Sequence, residues 1–232
     1  MKSIKDLVDD LRILIDANSD ELDDRTLISW INGQRAWWLK NEANKGRVLE
    51  DSVVQTLPCL SVSIVDASIC GLLKTKHRIL KTDQNIPKTI ATKYHDGILS
   101  VRRPIILDSK FNYITREEAV YAGSGKFNTR DIFAFIFNEH IYLKLMADNR
   151  SINFITHIAV DGIFDNPLDV KEFEDCNNKP CFDPDTEEYP MNETMWQYIL
   201  NSIYDTRFRQ WRDDVLDPIP DVNSETRTDR VI

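Results

Sequence analysis

The sequence predicts an α+β fold, with an N-terminal helical bundle segment, a central mainly antiparallel β domain, and a C-terminal helix followed by an extended tail. Near both ends of the chain, apolar residues recur every three or four positions, which is typical of amphipathic helices. In the middle they alternate with polar residues, which is typical of strands. The 232 residues, 42% hydrophobic and 29% charged, are enough to bury a sizeable core.

Residues 1–58 form the predicted helical region. A first helix follows the apolar stripe that begins at Ile4 and ends at Ile15. A second helix begins at Asp23 or Asp24, either of which can cap its first turn, and ends near Asn44, before Lys45-Gly46. A third, short helix is predicted over Glu50–Leu57, ended by Pro58.

The second helix carries two apolar lines. Leu27, Ile31 and Trp38 form one line, and Trp30 and Trp37, seven residues apart, form another beside it. This is more apolar surface than one packing partner normally covers. Two interpretations stay open: the helix is buried within its own domain, or one line packs on a neighbouring subunit through its aromatic side chains.

Residues 59–165 form the predicted β domain. The strongest signal is a hairpin of Asp131–Phe137 and His140–Leu145 joined at Asn138-Glu139. Strands without interleaved long helices predict a mainly antiparallel sheet or a small barrel. The other predicted strands are Leu60–Val65, Ile98–Val101, Ile105–Leu107, Phe111–Thr115 and Phe154–Phe164.

The remaining chain divides into two predicted parts. Residues 166–216 combine an acidic loop with a helix that is capped by Asn192 and packs back on the helical region. Residues 217–232 are polar, without a core-forming period, and are expected to be an extended C-terminal arm that is disordered or lies on a partner. The apolar face of the helix comprises Met195, Trp196, Ile199, Leu200, Ile203, Tyr204, Phe208 and Trp211.

No residue pattern predicts a catalytic, cofactor or metal site. Gly123-Ser124-Gly125-Lys126 resembles a phosphate loop, but Val120 replaces the required first glycine and Phe127 replaces the Mg²⁺-binding Ser or Thr. The sequence Asp183-Pro184-Asp185 begins like a calcium loop but lacks its later glycine and glutamate. The four histidines accompany no nucleophile motif, so we expect no enzyme, although residues that converge only in the fold stay possible.

The cysteines are expected to be reduced thiols of a protein made in a cytoplasm, because they are sparse and do not form a framework. Cys176 and Cys181 have no second pair nearby at zinc-site spacing. The net charge of −9 argues against DNA binding as the main role, since phosphate contacts need basic residues. No apolar run is long enough for a membrane span, so no membrane partner is expected.

Two blocks of the sequence resemble a known family. The segment LISWINGQRAWWLKNE at Leu27–Glu42, followed by Ile64–Ala67, is similar to the N-terminal part of a virion protein of crAss-like and related short-tailed bacteriophages. Gly162–Pro167, then an acidic stretch and Tyr189–Met191, is similar to a second block of that family, with Asp165-Asn166 in place of two acids. These patterns are degenerate, and they carry no catalytic residues.

The resemblance implies a structural ring or adaptor protein in the neck, the head-to-tail connector below the portal. It implies a twelve-fold homo-oligomer that contacts the portal and neighbouring ring or tail proteins and lets DNA pass without specific binding. The expected location is the virion, assembled in the bacterial cytoplasm. A tail or baseplate component and a soluble monomeric binding module are alternatives. The candidate subunit-interface residues are Trp30, Trp37, Trp38, Trp196, Tyr204, Phe208, Trp211, Ile219 and Val222.

Overall fold

The computed structural model describes residues 2–15, 22–47, 49–66, 77–91, 93, 96–104, 110–123, 131–146 and 154–208. Three longer helices pack together at one side, and seven strands form a curved sheet at the other. The predicted α+β class is therefore confirmed in its broad form. The predicted arm, residues 217–232, lies outside the described residues, as does the strand predicted at Ile105–Leu107.

The helical layer has one apolar core. Helix α1 spans Ile4–Ile15, α2 spans Asp24–Asn44 and α4 spans Glu193–Ile203. As predicted, the side chain of Asn192 caps α4, accepting a hydrogen bond from the backbone N–H of Met195 at 2.7 Å. The shared core includes Leu7, Leu11, Leu27, Ile31, Leu39, Met195, Trp196 and Ile199.

The seven strands form a nearly closed barrel. They are β1 Gln55–Val65, β2 His77–Thr82, β3 Ile98–Arg102, β4 Asn112–Tyr113, β5 Phe133–Phe137, β6 His140–Met146 and β7 His157–Gly162. Their order is β3-β7-β1-β2-β6-β5-β4, with every neighbouring pair antiparallel except β4 and β5. The two edges meet where the backbone N–H of Phe111 donates to the carbonyl oxygen of Val101 at 2.7 Å.

The predicted hairpin is confirmed in β5 and β6. Asn138 and Glu139 have φ values of 48° and 60°, the conformation required by a tight turn whose twist matches the flanking strands. Phe135 and Leu143 lie on opposite faces of this hairpin, and both are fully buried. The short helix α3, Arg116–Ala119, covers one face, and the barrel core fills the other.

Two local predictions were wrong. The helix predicted over Glu50–Leu57 is a single 3₁₀ turn, Asp51–Val53, and β1 already begins at Gln55. Pro58 does not end a helix. It lies in β1 where the pairing with β7 gains one extra residue between Leu57 and Leu60, a bulge that accommodates a residue without an N–H.

The expectation of reduced thiols was also wrong for two of the cysteines. Cys59, in the bulge of β1, forms a disulfide with Cys176, 117 residues later in the chain. The bridge joins the barrel to the loop that follows a 3₁₀ turn at Pro167–Glu172. Cys181 is a free thiol, and Cys70 lies outside the described residues.

A buried arginine joins the helical layer to the rest of the fold. Arg35 of α2 is fully buried and donates hydrogen bonds to the carbonyl oxygens of Pro190 at 2.8 Å, Phe164 at 2.9 Å and Val53 at 3.3 Å. These carbonyls belong to three separate chain segments. The guanidinium therefore fixes the orientation of α2 against the barrel, because leaving any of these buried groups without a partner is costly.

Candidate subunit interface

A groove of 730 Å³ runs between α2 and α4 on the outer side of the helical layer. Both helices contribute one stripe of side chains to it, spaced three or four residues apart. Helix α2 contributes Ser29, Trp30, Gly33, Gln34 and Trp37, and the other wall consists of Tyr198, Ser202 and Thr206. The groove is thus built from the second aromatic line of α2 and from the side of α4 that faces away from the core.

Local sequence explains the shape of this groove. Gly33 lies between Trp30 and Trp37, one turn from each, and a Cβ added there would meet no atom within 4 Å. Ser202 donates a hydrogen bond to the side-chain oxygen of Gln34 at 3.1 Å, which joins the two walls. The groove therefore has a small residue at its centre, aromatic rings on its walls, and a polar link between the helices.

An exposed aromatic pair links the two walls of the groove. The rings of Trp37 and Tyr198 are stacked, with centroids 6.1 Å apart and planes inclined by 5°. Trp37 is 51% exposed and Tyr198 is 42% exposed. Each ring thus holds the other in place while offering about half of its surface to a partner, and such pre-ordered aromatic surface binds at a low cost in conformational entropy.

The predicted interface residues lie in different environments. Trp30 and Trp38 are half-buried against the helical core, and Trp30 also lines the groove. Tyr204, just after α4, is 36% exposed. Trp196 is only 2% exposed, because its face of α4 packs into the core, so it is excluded from the proposed contact surface.

Some groove residues escaped sequence reasoning, and some predictions fall beyond the described residues. Tyr198 lies on the opposite side of α4 from the apolar face, although the i, i+4 spacing of Tyr198, Ser202 and Thr206 could have indicated a second stripe. The side chain of Phe208 and the residues Trp211, Ile219 and Val222 lie outside the described part of the chain.

A second concavity, a cleft of 630 Å³, lies beside the disulfide. One wall is β1 at Cys59, Leu60 and Ser61, and the other is the segment from Glu172 to Asn178. Phe154, which is 77% exposed, lies at its edge. Acidic and basic side chains both line this cleft, so its charge does not single out one class of ligand.

One polar cluster of the barrel centres on Asp161. Asp161 of β7 accepts hydrogen bonds from Thr56 Oγ1 at 2.8 Å, from Ser100 Oγ, and from Arg102 at 3.2 Å. Burial acts to raise the pKa of Asp161, but the hydrogen bonds from Ser100, Thr56 and Arg102 outweigh it and hold the pKa below its ordinary value. The cluster contains no histidine that could activate Ser100 as a nucleophile.

The described residues form neither a cluster of metal ligands nor a membrane-spanning helix. Within these ranges, no three His, Cys, Asp or Glu side chains converge as ligands for a metal ion. Among the described helices, none combines the length and the apolar character needed to cross a bilayer.

Comparison with known proteins identifies the family. Residues 4–225 match the family model described as "Phage tail ring protein 2", nearly the whole chain. The chain belongs to this family. It is thus a crAss-like phage ring protein, as the two sequence blocks indicated. No curated protein matches the chain.

Membership of the phage tail ring protein 2 family has direct consequences. A ring is an assembly of several subunits, so the family implies oligomerisation with other phage proteins and a place in the virion. It also indicates a structural role for the chain.

Proposed function

We propose that the chain is the subunit of a twelve-fold ring in the neck of the phage particle, the head-to-tail connector below the portal. The match of residues 4–225 to a phage ring family carries this proposal. In it, copies of the chain surround the DNA passage and join the capsid to the tail. The portal and the adjacent ring or tail proteins are the proposed partners above and below.

A ring requires each subunit to present two different surfaces, because neighbouring copies meet head to tail. The groove between α2 and α4 is our proposed contact on one side, and its occupant is a second copy of this chain. Two observations support this choice. The groove offers half-exposed aromatic rings that are already ordered, and it lies on the outer side of the helices, away from the barrel.

The C-terminal arm, residues 217–232, is a second proposed contact. It contains the candidate residues Ile219 and Val222 among acidic and polar neighbours. The sequence Pro218-Ile219-Pro220 disfavours helix and favours extended backbone. A segment of this kind gains order when it is laid on a partner, so we propose that the arm extends from each subunit to a neighbouring protein.

The charge of the chain suits DNA passage. With a net charge of −9, the chain lacks the basic excess that makes protein–DNA contacts strong and dependent on salt. We propose that the channel wall shares this acidic balance and repels phosphate, so that DNA slides through without sticking. We propose passage, and not specific recognition, as the relation between this ring and the genome.

Imaging of the particle tests the neck position. A reconstruction should contain a ring in the neck, directly below the portal, into which twelve copies of the barrel and the three helices fit. Absence of the chain from the neck would contradict the proposal. A ring found farther along the tail would favour the second candidate, a tail component, which the word "tail" in the family description supports.

A further inference from the structure

The disulfide links a hairpin to β1, and the hairpin is also held by interactions that do not involve the disulfide. The segment Phe173–Cys181 is a small hairpin: the backbone N–H of Cys181 donates to the carbonyl oxygen of Phe173 at 2.8 Å. At its tip, the carboxylate of Asp175 accepts from the backbone N–H groups of Asn177 at 2.7 Å and Lys179 at 2.9 Å. None of these hydrogen bonds uses a sulfur atom.

Both ends of the hairpin are anchored independently of the bridge. Phe173 is 9% exposed and Phe182 is 5% exposed, and both pack into the barrel core. The hairpin would thus stay attached to the barrel at its base when the bridge is open. What the bridge adds is a link between the tip, at Cys176, and the bulge of β1, at Cys59.

Accessibility favours exchange at this pair, whereas the third described cysteine, Cys181, is disfavoured by its raised pKa. Cys176 is exposed, Cys59 is half-buried, and both line the cleft, so a small thiol or disulfide can reach the bridge. Burial, followed by the charges of Asp175 and Glu174, raises the pKa of Cys181 to about 11. Less than about 0.1% of Cys181 is then thiolate near neutral pH, so Cys181 reacts slowly in thiol–disulfide exchange.

We propose that Cys59 and Cys176 form a reversible thiol–disulfide site that is open in the reducing host cytoplasm and closed in released particles, where it clamps hairpin 173–181 to β1 across the cleft. The disulfide would otherwise be unusual in a chain made in a cytoplasm. The inference rests on the proposed function only in taking the chain to be made there and to leave in the particle.

The co-reactant is a small disulfide such as oxidised glutathione. The thiolate of Cys176, the more exposed residue of the pair, attacks one sulfur of the small disulfide, which releases one small thiolate and leaves a mixed disulfide. The thiolate of Cys59 then attacks the Sγ atom of Cys176 and releases the second small thiolate. Two cysteine thiols are oxidised, one small disulfide is reduced to two thiols, and the two protons pass to the released thiolates.

The clamp has a structural consequence for the cleft. One wall of the cleft belongs to β1 and the other to the hairpin, so the bridge fixes the distance between them. Opening the bridge frees the tip while the base stays packed. The expected change is therefore local: faster exchange of the backbone amides in the hairpin, with the β5–β6 pairing unchanged.

The test uses the purified full chain in glutathione buffers from fully oxidised to fully reduced. Free thiols are trapped with N-ethylmaleimide and mapped by mass spectrometry, and amide hydrogen exchange is followed in parallel. We expect the Cys59–Cys176 fraction to fall at least about tenfold in millimolar reduced glutathione and to recover in oxidised glutathione. Exchange across residues 174–180 should rise about tenfold on reduction.

Matched variants separate the pair from the other cysteines. Cys176→Ser should show the reduced exchange pattern in every buffer, whereas Cys181→Ser should keep the full response. A bridge that stays closed in reduced glutathione while the chain is folded, or a bridge that joins Cys70 or Cys181 instead, overturns the proposal.

The last part of the test uses infected cells. When thiols are trapped at the moment of lysis, Cys59 and Cys176 should be found reduced. In particles collected later, the two residues should be joined by the disulfide. Closed pairs inside cells would also overturn the proposal. The neck position is tested separately by imaging, so either conclusion can fail without the other.

Discussion

Replacement of Trp37 by alanine removes an exposed aromatic side chain from the proposed contact between subunits. Trp37 is 51% exposed and stacks on Tyr198, which is 42% exposed. In the isolated subunit about half of the Trp37 surface is buried, so the variant loses that buried area on folding. In the assembly the other half would be buried by the neighbouring subunit, so the variant loses that area as well. We therefore expect a moderate cost to folding and a separate, larger effect on association.

The magnitudes follow from area. A tryptophan side chain buries about 150–250 Å², so the exposed half of Trp37 offers about 75–125 Å² to a neighbour. At about 25 cal/mol per Å², its loss costs about 2–3 kcal/mol per contact, or roughly 30- to 150-fold in affinity. The loss of folding free energy should be about 2 kcal/mol or less, against about 3–5 kcal/mol for the 2%-exposed Trp196→Ala.

The assay measures association and folding separately. Sedimentation velocity gives the assembly midpoint, and urea unfolding of the dissociated subunit gives the free energy of unfolding. Phe154→Ala is the surface control, because Phe154 is 77% exposed but lies at the cleft, away from the groove. Normal assembly of Trp37→Ala, or assembly lost no more than in Phe154→Ala, would refute the role of the groove.

Three further predictions follow from buried polar groups and the disulfide. Arg35→Leu leaves three buried carbonyl oxygens without their donor and should cost about 3–5 kcal/mol in urea unfolding; a loss below about 1 kcal/mol would contradict the proposed junction. Because the folded pKa of Asp161 is lowered, its stabilisation is present above the unfolded pKa near 4 and is lost as pH falls through the folded pKa. The destabilisation caused by Asp161→Asn should therefore be clear at pH 7 and shrink toward pH 2, and a pH-independent difference would count against this. Cys176→Ser should lower the melting temperature by about 4–16 °C relative to the oxidised chain and by little relative to the reduced chain.

The sequence predicted those strands whose signal is local. The β5–β6 hairpin has both its alternation and its turn residues, Asn138 and Glu139, within one short stretch. Strand β2, His77–Thr82, was missed because Ile79 and Leu80 are adjacent and do not alternate with polar residues. Ile79 and Leu80 point to opposite faces of the sheet and both are buried, so the centre of the strand shows no period of two.

The error before β1 has a different cause. Val53, Val54 and Leu57 lie at helical spacing, and Pro58 follows at the position of a helix stop. Pairing with β7 overrides that local pattern, because Gln55–Leu57 and Leu60–Ser61 pair with β7 in the barrel. Proline is then accommodated by the bulge, which no local pattern in the sequence indicates.

The candidate sites depended on long-range contacts to different degrees. The two tryptophan lines of α2 were visible as a spacing, but Tyr198 is brought to Trp37 only by the packing of α4 on α2, 161 positions away in the sequence. The disulfide joins residues 117 positions apart, a separation that no local spacing can predict.

Assembly of the purified chain is the most direct measurement of the central claim. Its mass should be determined by light scattering over a range of concentrations, and the largest species should then be imaged at low resolution. The account predicts closed rings of a single size that dissociate when Trp37 is replaced by alanine. A stable monomer at every concentration, together with the absence of the chain from purified particles, would contradict it.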